Sequence, residues 1–333
     1  MRVRTAAGWL TAFVLLGTAV AASLFLGGRE LGLGEVVRAL TEPDGGTADL
    51  VVNGIRVPRT WLGLLAGSGL AVAGAVMQGI TRNPIASPSV LGINAGASFA
   101  VVAAIHVFGV ASAAGYAGAA IAGAAIAAVL AYGLATAGAP AAPTRLALAG
   151  AVIATMLSAW TTTILVLSGR TLEEARHWLA GSLVARDPGI MVYSAPLVIA
   201  GLLIAFGLAR SLDALALGDE QAVSLGVHPT RVRLVGALAV VLLAGAAVAA
   251  AGPIAFVGLA VPHLIRLVSG AEHTRLLPAC ALLGPVLLLT ADVVGRLVAR
   301  PAELEVGIVT TLIGAPVLIV LARRASTIRA EGR

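Results

Sequence analysis

The feature that most constrains this chain is a succession of apolar stretches, each about 20 residues long, recurring from one end to the other. A helix of that length crosses ~30 Å of hydrocarbon. Ten candidate spans can be marked: Ala7–Leu26, Thr60–Ile80, Gly92–Val110, Ala113–Thr136, Leu146–Ser168, Ile190–Ala209, Leu234–Ala251, Ile254–Val268, Leu276–Val298 and Val306–Ala322. The eighth is short and follows Gly252-Pro253. Composition agrees, with 59% hydrophobic and 11% charged residues, where soluble domains carry roughly 25% charged. A transmembrane β-barrel would show short alternating segments instead. Ala and 40 glycines dominate the spans, and small residues let membrane helices pack closely. The expectation is an all-α integral membrane protein of about ten transmembrane helices, a single transmembrane domain over residues 1–333. Met1–Gly27 has a signal peptide's basic start and apolar run, but no convincing cleavage site, and reads as the first span.

All 22 basic residues are Arg. Without Lys the chain holds no P-loop, so any ATP-driven work falls to a separate ATPase chain. Cys280 is the one cysteine, which excludes an intrachain disulfide and a cysteine metal cluster. No HExxH, nucleophile elbow or Gly-rich dinucleotide loop occurs. Neither an enzyme, nor a cofactor or metal site, nor a nucleic-acid partner is expected. With the N-terminus inside, 13 arginines fall on cytoplasmic segments and nine on outer ones, and both termini come out cytoplasmic.

Four segments could carry function. Arg56-Val57-Pro58-Arg59 opens the second span at its outer mouth. Guanidiniums there, and Arg296 at the outer end of the ninth span, suit the carboxylates of a partner or the phosphates of lipid; the residues leave both open. The inner link Gln78–Pro88 is stiffened by Pro84 and Pro88 and followed by Gly92 and Gly96 in close-packing spacing. It reads as a gate hairpin or as a plain tight connection. In the inner loop, Gly218 and Gly226 bracket a short helix, Asp219–Leu225, with acids in its first turn. That helix is a knob for a partner's groove or part of an ordinary loop.

Gly252–His263 brings two glycines and two prolines to membrane depth, where irregular backbone must line a cavity or be buried in protein. His263 reads as a hydrogen-bonded end residue rather than a ligand. Asp292 is the one carboxylate inside a span, and Arg296 four residues on makes an ion pair the economical reading over proton carriage. The outer loop Gly27–Ile55 holds a short amphipathic piece, Leu33–Leu40.

RVPRT at 56–60, GLAVAGAVMQGITRNPIASPSVLGINAGAS at 69–98, WLAGSL at 178–183, LGDEQAVSLGV at 217–227, GPIAFVGLAVPH at 252–263, ADVVGR at 291–296 and TLIGAPVLIVLARR at 311–324 together resemble the FecCD-type permeases of siderophore, haem and cobalamin uptake. The resemblance implies a type II ABC importer permease fold in the inner or plasma membrane. It implies a second copy, or a paralogous permease, around one pathway, with two cytoplasmic ATP-binding subunits and an extracytoplasmic solute-binding protein. The cargo it implies is an iron chelate, with ferric siderophore ahead of haem and cobalamin.

Arg56, Arg59 and Arg296 match the family's arginines that grip acidic residues of the binding protein. Asn83 and Ile85 match the inner-gate hairpin, and Pro143 and Thr144 fall at its second gate position. Leu217, Gly218, Asp219, Glu220, Ala222, Leu225, Gly226 and Val227 match the segment that couples to the ATPase, within a loop spanning about 211–231. One departure is Glu305, where the family pattern after Glu303-Leu304 has Pro. The alternative function is an ion- or proton-coupled secondary transporter, which needs buried charged relays within its spans.

Overall fold

In hydrocarbon no water meets the backbone, so each apolar segment satisfies its N–H and C=O groups internally, as a helix. A computed structural model describes residues 2–137, 143–184, 189–300 and 302–316, and among these there are helices and no strand. Helix α1 (Arg2–Phe25) is followed by short α2 (Leu33–Thr41) and α3 (Thr47–Val51), and a π-helical turn, Val52–Arg56, leads into α4 (Val57–Thr81). A 3-10 turn, Pro88–Leu91, precedes α5 (Ile93–Phe108), α6 (Ala113–Thr136), α7 (Pro143–Leu167), α8 (Gly169–Leu179), α9 (Ile190–Ala216) and α10 (Asp219–Ser224). The remaining helices are α11 (Pro229–Ala251), α12 (Val257–Ser269), α13 (His273–Val298) and α14 (Val306–Pro316).

Each of the ten expected spans falls on a helix. Among the described residues seven segments are long and apolar enough to cross a membrane: α1, α3 with α4, α6, α7, α9, α11 and α13. The other three, α5, α12 and α14, are shorter apolar helices. The last part of the tenth expected span, 317–322, lies outside the described residues.

Two departures from the expected elements have local causes. The eighth span starts at Val257 rather than Ile254, because Gly252 and Phe256 both hold left-handed backbone, with φ of 73° and 69°. Helix α8 is amphipathic and was not among the expected spans; Ser168 caps it by accepting a hydrogen bond from Thr171 N at 3.3 Å.

Helix α4 is the axis of the bundle, packed against α13, α11, α12 and α9, with nearly every residue after Leu65 buried. Such packing needs backbones to touch. A Cβ on Gly74 would run into the Gly258 carbonyl of α12, and Gly96 of α5 meets Gly123 of α6 in the same way. Helices α1, α7 and α9 lie on the outside and leave most of their surface uncovered. The chain's polar contacts gather at the two ends of this bundle.

Candidate functional site

At one end, the start of α4 meets the end of α13 and the end of α1. The last four carbonyls of a helix have no partner of their own, and here arginines from other elements supply them. Arg56 donates from Nη1 to Leu24 O and Phe25 O, at 2.8 and 3.0 Å, and from Nη2 to Arg29 O at 2.7 Å. Arg296 donates from Nη1 to Ser23 O and Leu26 O, at 3.2 and 3.0 Å. Arg300 reaches Gly27 O at 2.7 Å and pairs with Glu30 at 2.8 Å. Cations at a helix C-terminus also answer its dipole.

Asp292, fully buried, is the anionic centre of this end. It accepts from Arg59 Nε at 2.9 and 3.0 Å and from Arg59 Nη2 at 2.7 Å. It also pairs with Arg296 Nη2 at 3.0 Å, the i,i+4 pair expected from sequence. With two guanidiniums on it, Asp292 is an ion-pair member. The fourth bond of Arg59 runs from Nη1 to Glu303 Oε2 at 2.7 Å, and Glu303 is 39% exposed.

The three arginines expected to reach outward to a partner are therefore turned inward in this chain. Arg56, Arg59 and Arg296 are 3%, 3% and 2% exposed. Of the carboxylates they hold, only Glu303, on Nη1 of Arg59, is at the surface. The physical reason is local: α1 ends among them with bare carbonyls, and a buried guanidinium without partners is costly.

At the other end, α4 closes on Arg82, whose φ of 49° is left-handed. Asn83 makes the turn: its Oδ1 accepts from Ile85 N at 3.1 Å and its carbonyl from Ala86 N at 3.1 Å. The side chain of Ile85 is 63% exposed. Together with Ser87 and Pro88 it lines a cavity of about 300 Å³ whose far wall is Phe256, Gly258 and Leu259. The hairpin thus faces the broken stretch 252–256. Phe256 is a non-glycine residue in left-handed backbone, a strained conformation found at functional sites. Pro143 opens α7 and Thr144 is exposed in its first turn. Less than two turns on, Gly150 packs against the Val90 carbonyl of the 3-10 turn.

The inner-loop helix α10 is shorter than expected by one residue. Gly218 and Gly226, with φ of 116° and 79°, bracket it. Leu217 and Leu225 project outward, 62% and 63% exposed, while Ala222 is buried. Val227 packs on the core. Asp219 bonds Arg233 of α11 at 2.8 and 2.9 Å and pairs with Arg82 at 3.4 Å. Glu220 is exposed beside it. The expected coupling segment and the expected gate hairpin are thereby joined through one carboxylate.

Sequence reasoning missed three members of this end. Asp213, near the end of α9, accepts from both N and Nδ1 of His273, at 2.7 and 2.8 Å. His273 Nε2 has no hydrogen-bond partner among the described residues and lies against Gly79 of α4. Arg266 of α12 donates to Gln78 of α4. No local pattern announces these contacts; only the fold brings residues 60 to 188 positions apart together. His263 is half-buried in the middle of α12 and not at a helix end as expected, and among the described residues no group of three metal-ligating side chains forms.

A family model, the FecCD transport family, matches residues 14–324. The chain is 43% identical over 317 residues to the ferric enterobactin transport system permease protein FepD of Escherichia coli (strain K12), covering 93% of each. It is also 43% identical over 283 residues to the cobalamin import system permease protein BtuC of Halobacterium salinarum, covering 83% of this chain and 74% of that one. An inward-facing solved structure assigned to the metal-chelate type of ABC transporter superposes with a TM-score of 0.83 at 29% identity, over 95% of this chain and 98% of the other.

Proposed function

Since the chain belongs to the FecCD transport family, we propose that it is the membrane-spanning permease subunit of a binding-protein-dependent ABC importer that carries an iron chelate into the cytoplasm. The observation that carries this reading is the Arg82–Asp219–Arg233 connection. It supplies the mechanical path such a subunit needs, from a loop that a partner ATPase can push to a hairpin that can part. The chain itself has no Lys for a P-loop, so the energy arrives through that loop.

In this reading the arginine end faces outward and receives the solute-binding protein, and the hairpin end faces the cytoplasm, in line with the arginine bias of the loops. Arg59 meets the binding protein, and Arg56 and Arg296 hold the frame around it. Leu217 and Leu225, with Gly218, Asp219, Glu220, Ala222, Gly226 and Val227, form the coupling segment. Asn83 and Ile85 form one gate, and Pro143 and Thr144 stand at the second. A second copy, or a paralogous permease, completes the pathway against the uncovered faces of α7 and its neighbours. Relatives of equal identity are named for ferric enterobactin and for cobalamin, so overall likeness does not select the cargo. Ferric siderophore is the first choice.

The test is whether the exposed leucines seat a partner. Replacing Leu217 and Leu225 together with Glu is expected to cut co-purification of the ATP-binding subunits with this chain by about tenfold or more, since each buried leucine contributes roughly 1.5–3 kcal/mol. Unchanged co-purification would overturn the coupling assignment.

A further inference from the structure

We propose that Glu303 is a built-in stand-in for a carboxylate of an acidic protein surface, and that such a carboxylate exchanges with it on Nη1 of Arg59. The proposal rests on the reading that the arginine end receives an extracytoplasmic protein. It starts from which guanidinium edges can be reached. Both Nη atoms of Arg56 are held by carbonyls. Those of Arg296 are held by Ser23, Leu26 and Asp292. Nε and Nη2 of Arg59 are held by Asp292, which is fully buried. Of these partners, only the group on Nη1 of Arg59, half-exposed Glu303 at 2.7 Å, is a side chain at the surface that can move away.

The charge balance requires an anion on Arg59 at all times. Three guanidiniums, Arg56, Arg59 and Arg296, gather around two carboxylates, Asp292 and Glu303. Nε of Arg296, a residue 2% exposed, has no hydrogen-bond partner among the described residues. Yet a buried guanidinium cannot be left with an empty edge at low cost. An arriving carboxylate must therefore take the place of Glu303 as Glu303 leaves, so that Arg59 stays paired throughout.

The exchange also selects the kind of partner. Glu303 belongs to the same chain, so its effective concentration at Arg59 is high, and a free small carboxylate competes poorly. A protein surface that makes further contacts beside the site competes well. Those contacts are on hand: Glu303 Oε1 lies within 3.5 Å of the position a Cβ would take on Gly28, next to exposed Arg29, and Arg300 holds Gly27 O. The connection that carries Glu303 is short, running from α13 to α14, and is pinned at Leu304 N by Gly295 O at 3.2 Å. The carboxylate can swing out while its backbone stays tethered.

The test uses the chain in nanodiscs of neutral phosphatidylcholine, with dye-labelled hexaglutamate as the probe and hexaglutamine and acetate as controls. Glu303→Gln is expected to tighten hexaglutamate binding at least about fivefold by removing the competing charge, and the gain is expected to shrink at high salt. Glu30→Gln, which removes an acid on Arg300 instead, is expected not to reproduce the gain.

Wild-type binding that does not tighten in Glu303→Gln overturns the stand-in while leaving an acid-seeking surface in place. Binding of hexaglutamate no better than hexaglutamine, in both proteins, removes the docking reading as well. A second measurement leaves Glu303 intact: a nitroxide on Ala302→Cys is expected to gain mobility as hexaglutamate is added, but not with acetate. An unchanged spectrum in the presence of bound hexaglutamate overturns the exchange.

Discussion

The two ends of the bundle solve opposite problems with the same side-chain chemistry. At the arginine end Arg59, Asp292 and Arg296 are each no more than 3% exposed, and the bonds are short and multiple. At the hairpin end Asp219 is 44% exposed and Arg82 39%, and their one contact spans 3.4 Å. A buried bidentate pair has one arrangement and a high cost of breaking. An exposed pair is worth ~0–1 kcal/mol and can be made and lost within a working cycle. The first kind of ion pair builds a frame; the second links parts that must move. The difference assigns rigidity to the end that would receive a docked protein and compliance to the end that would be driven.

The strongest way to break that comparison is to cut the frame. Asp292→Asn removes the anion shared by two buried guanidiniums, and it is expected to destabilise the chain by roughly 3–5 kcal/mol, read by reversible unfolding in detergent micelles. A loss below about 1 kcal/mol, the range of an exposed pair, would mean that water reaches this end and that the contrast is false.

A smaller effect sharpens the comparison by testing the rod between the ends. Helix α4 links Arg59 in its first turn to Arg82 just past its end, and Gly74 lies in its second half against Gly258. Gly74→Ala drives a Cβ into backbone that has no side chain to rotate away, so a loss of about 1–3 kcal/mol, or more, is expected. Gly118→Ala on α6, where a Cβ meets nothing within 4 Å, is expected to be neutral or to gain roughly 0.5–1 kcal/mol. Equal unfolding midpoints for the two variants would show that α4 and α12 are not in close register.

Much of this was legible in the chain, and the reason is the solvent. A bilayer forces each span to be one apolar helix, so hydropathy marked a helix at each expected position, seven of them among the described residues long and apolar enough to cross, and α6 falls on Ala113–Thr136 as expected. Local spacing revealed the Asp292–Arg296 pair, and Gly218 and Gly226 marked the ends of α10. Long-range partners were not legible. Arg59 and Asp292 are 233 residues apart, and nothing near RVPRT tells that Arg56 would cap α1 and Arg59 pair with Asp292 rather than point to solvent. The start of α12 was also hidden, because a left-handed Phe256 has no sequence signature as a left-handed glycine has. Amphipathic α8 escaped because its charges, Arg170, Glu173, Glu174 and Arg176, look like a loop to a hydropathy scan.

The smallest expected change in stability is also the sharpest test of the compliant end. Asp219→Asn removes the charge that holds both Arg82 and Arg233. Because these groups are partly exposed, stability is expected to fall by no more than about 1 kcal/mol. Uptake by the assembled transporter should nevertheless drop by roughly tenfold, the scale of a 1–3 kcal/mol coupling free energy. Arg82→Gln should do the same, and the double variant should be no worse than either single one, since both cut one link. Losses that multiply would mean that Asp219 and Arg82 act separately. A fall in stability as large as that of Asp292→Asn would mean that both ends are frame, and the transmission path would then have to lie elsewhere, with His273 between Asp213 and Gly79 as the next place to cut.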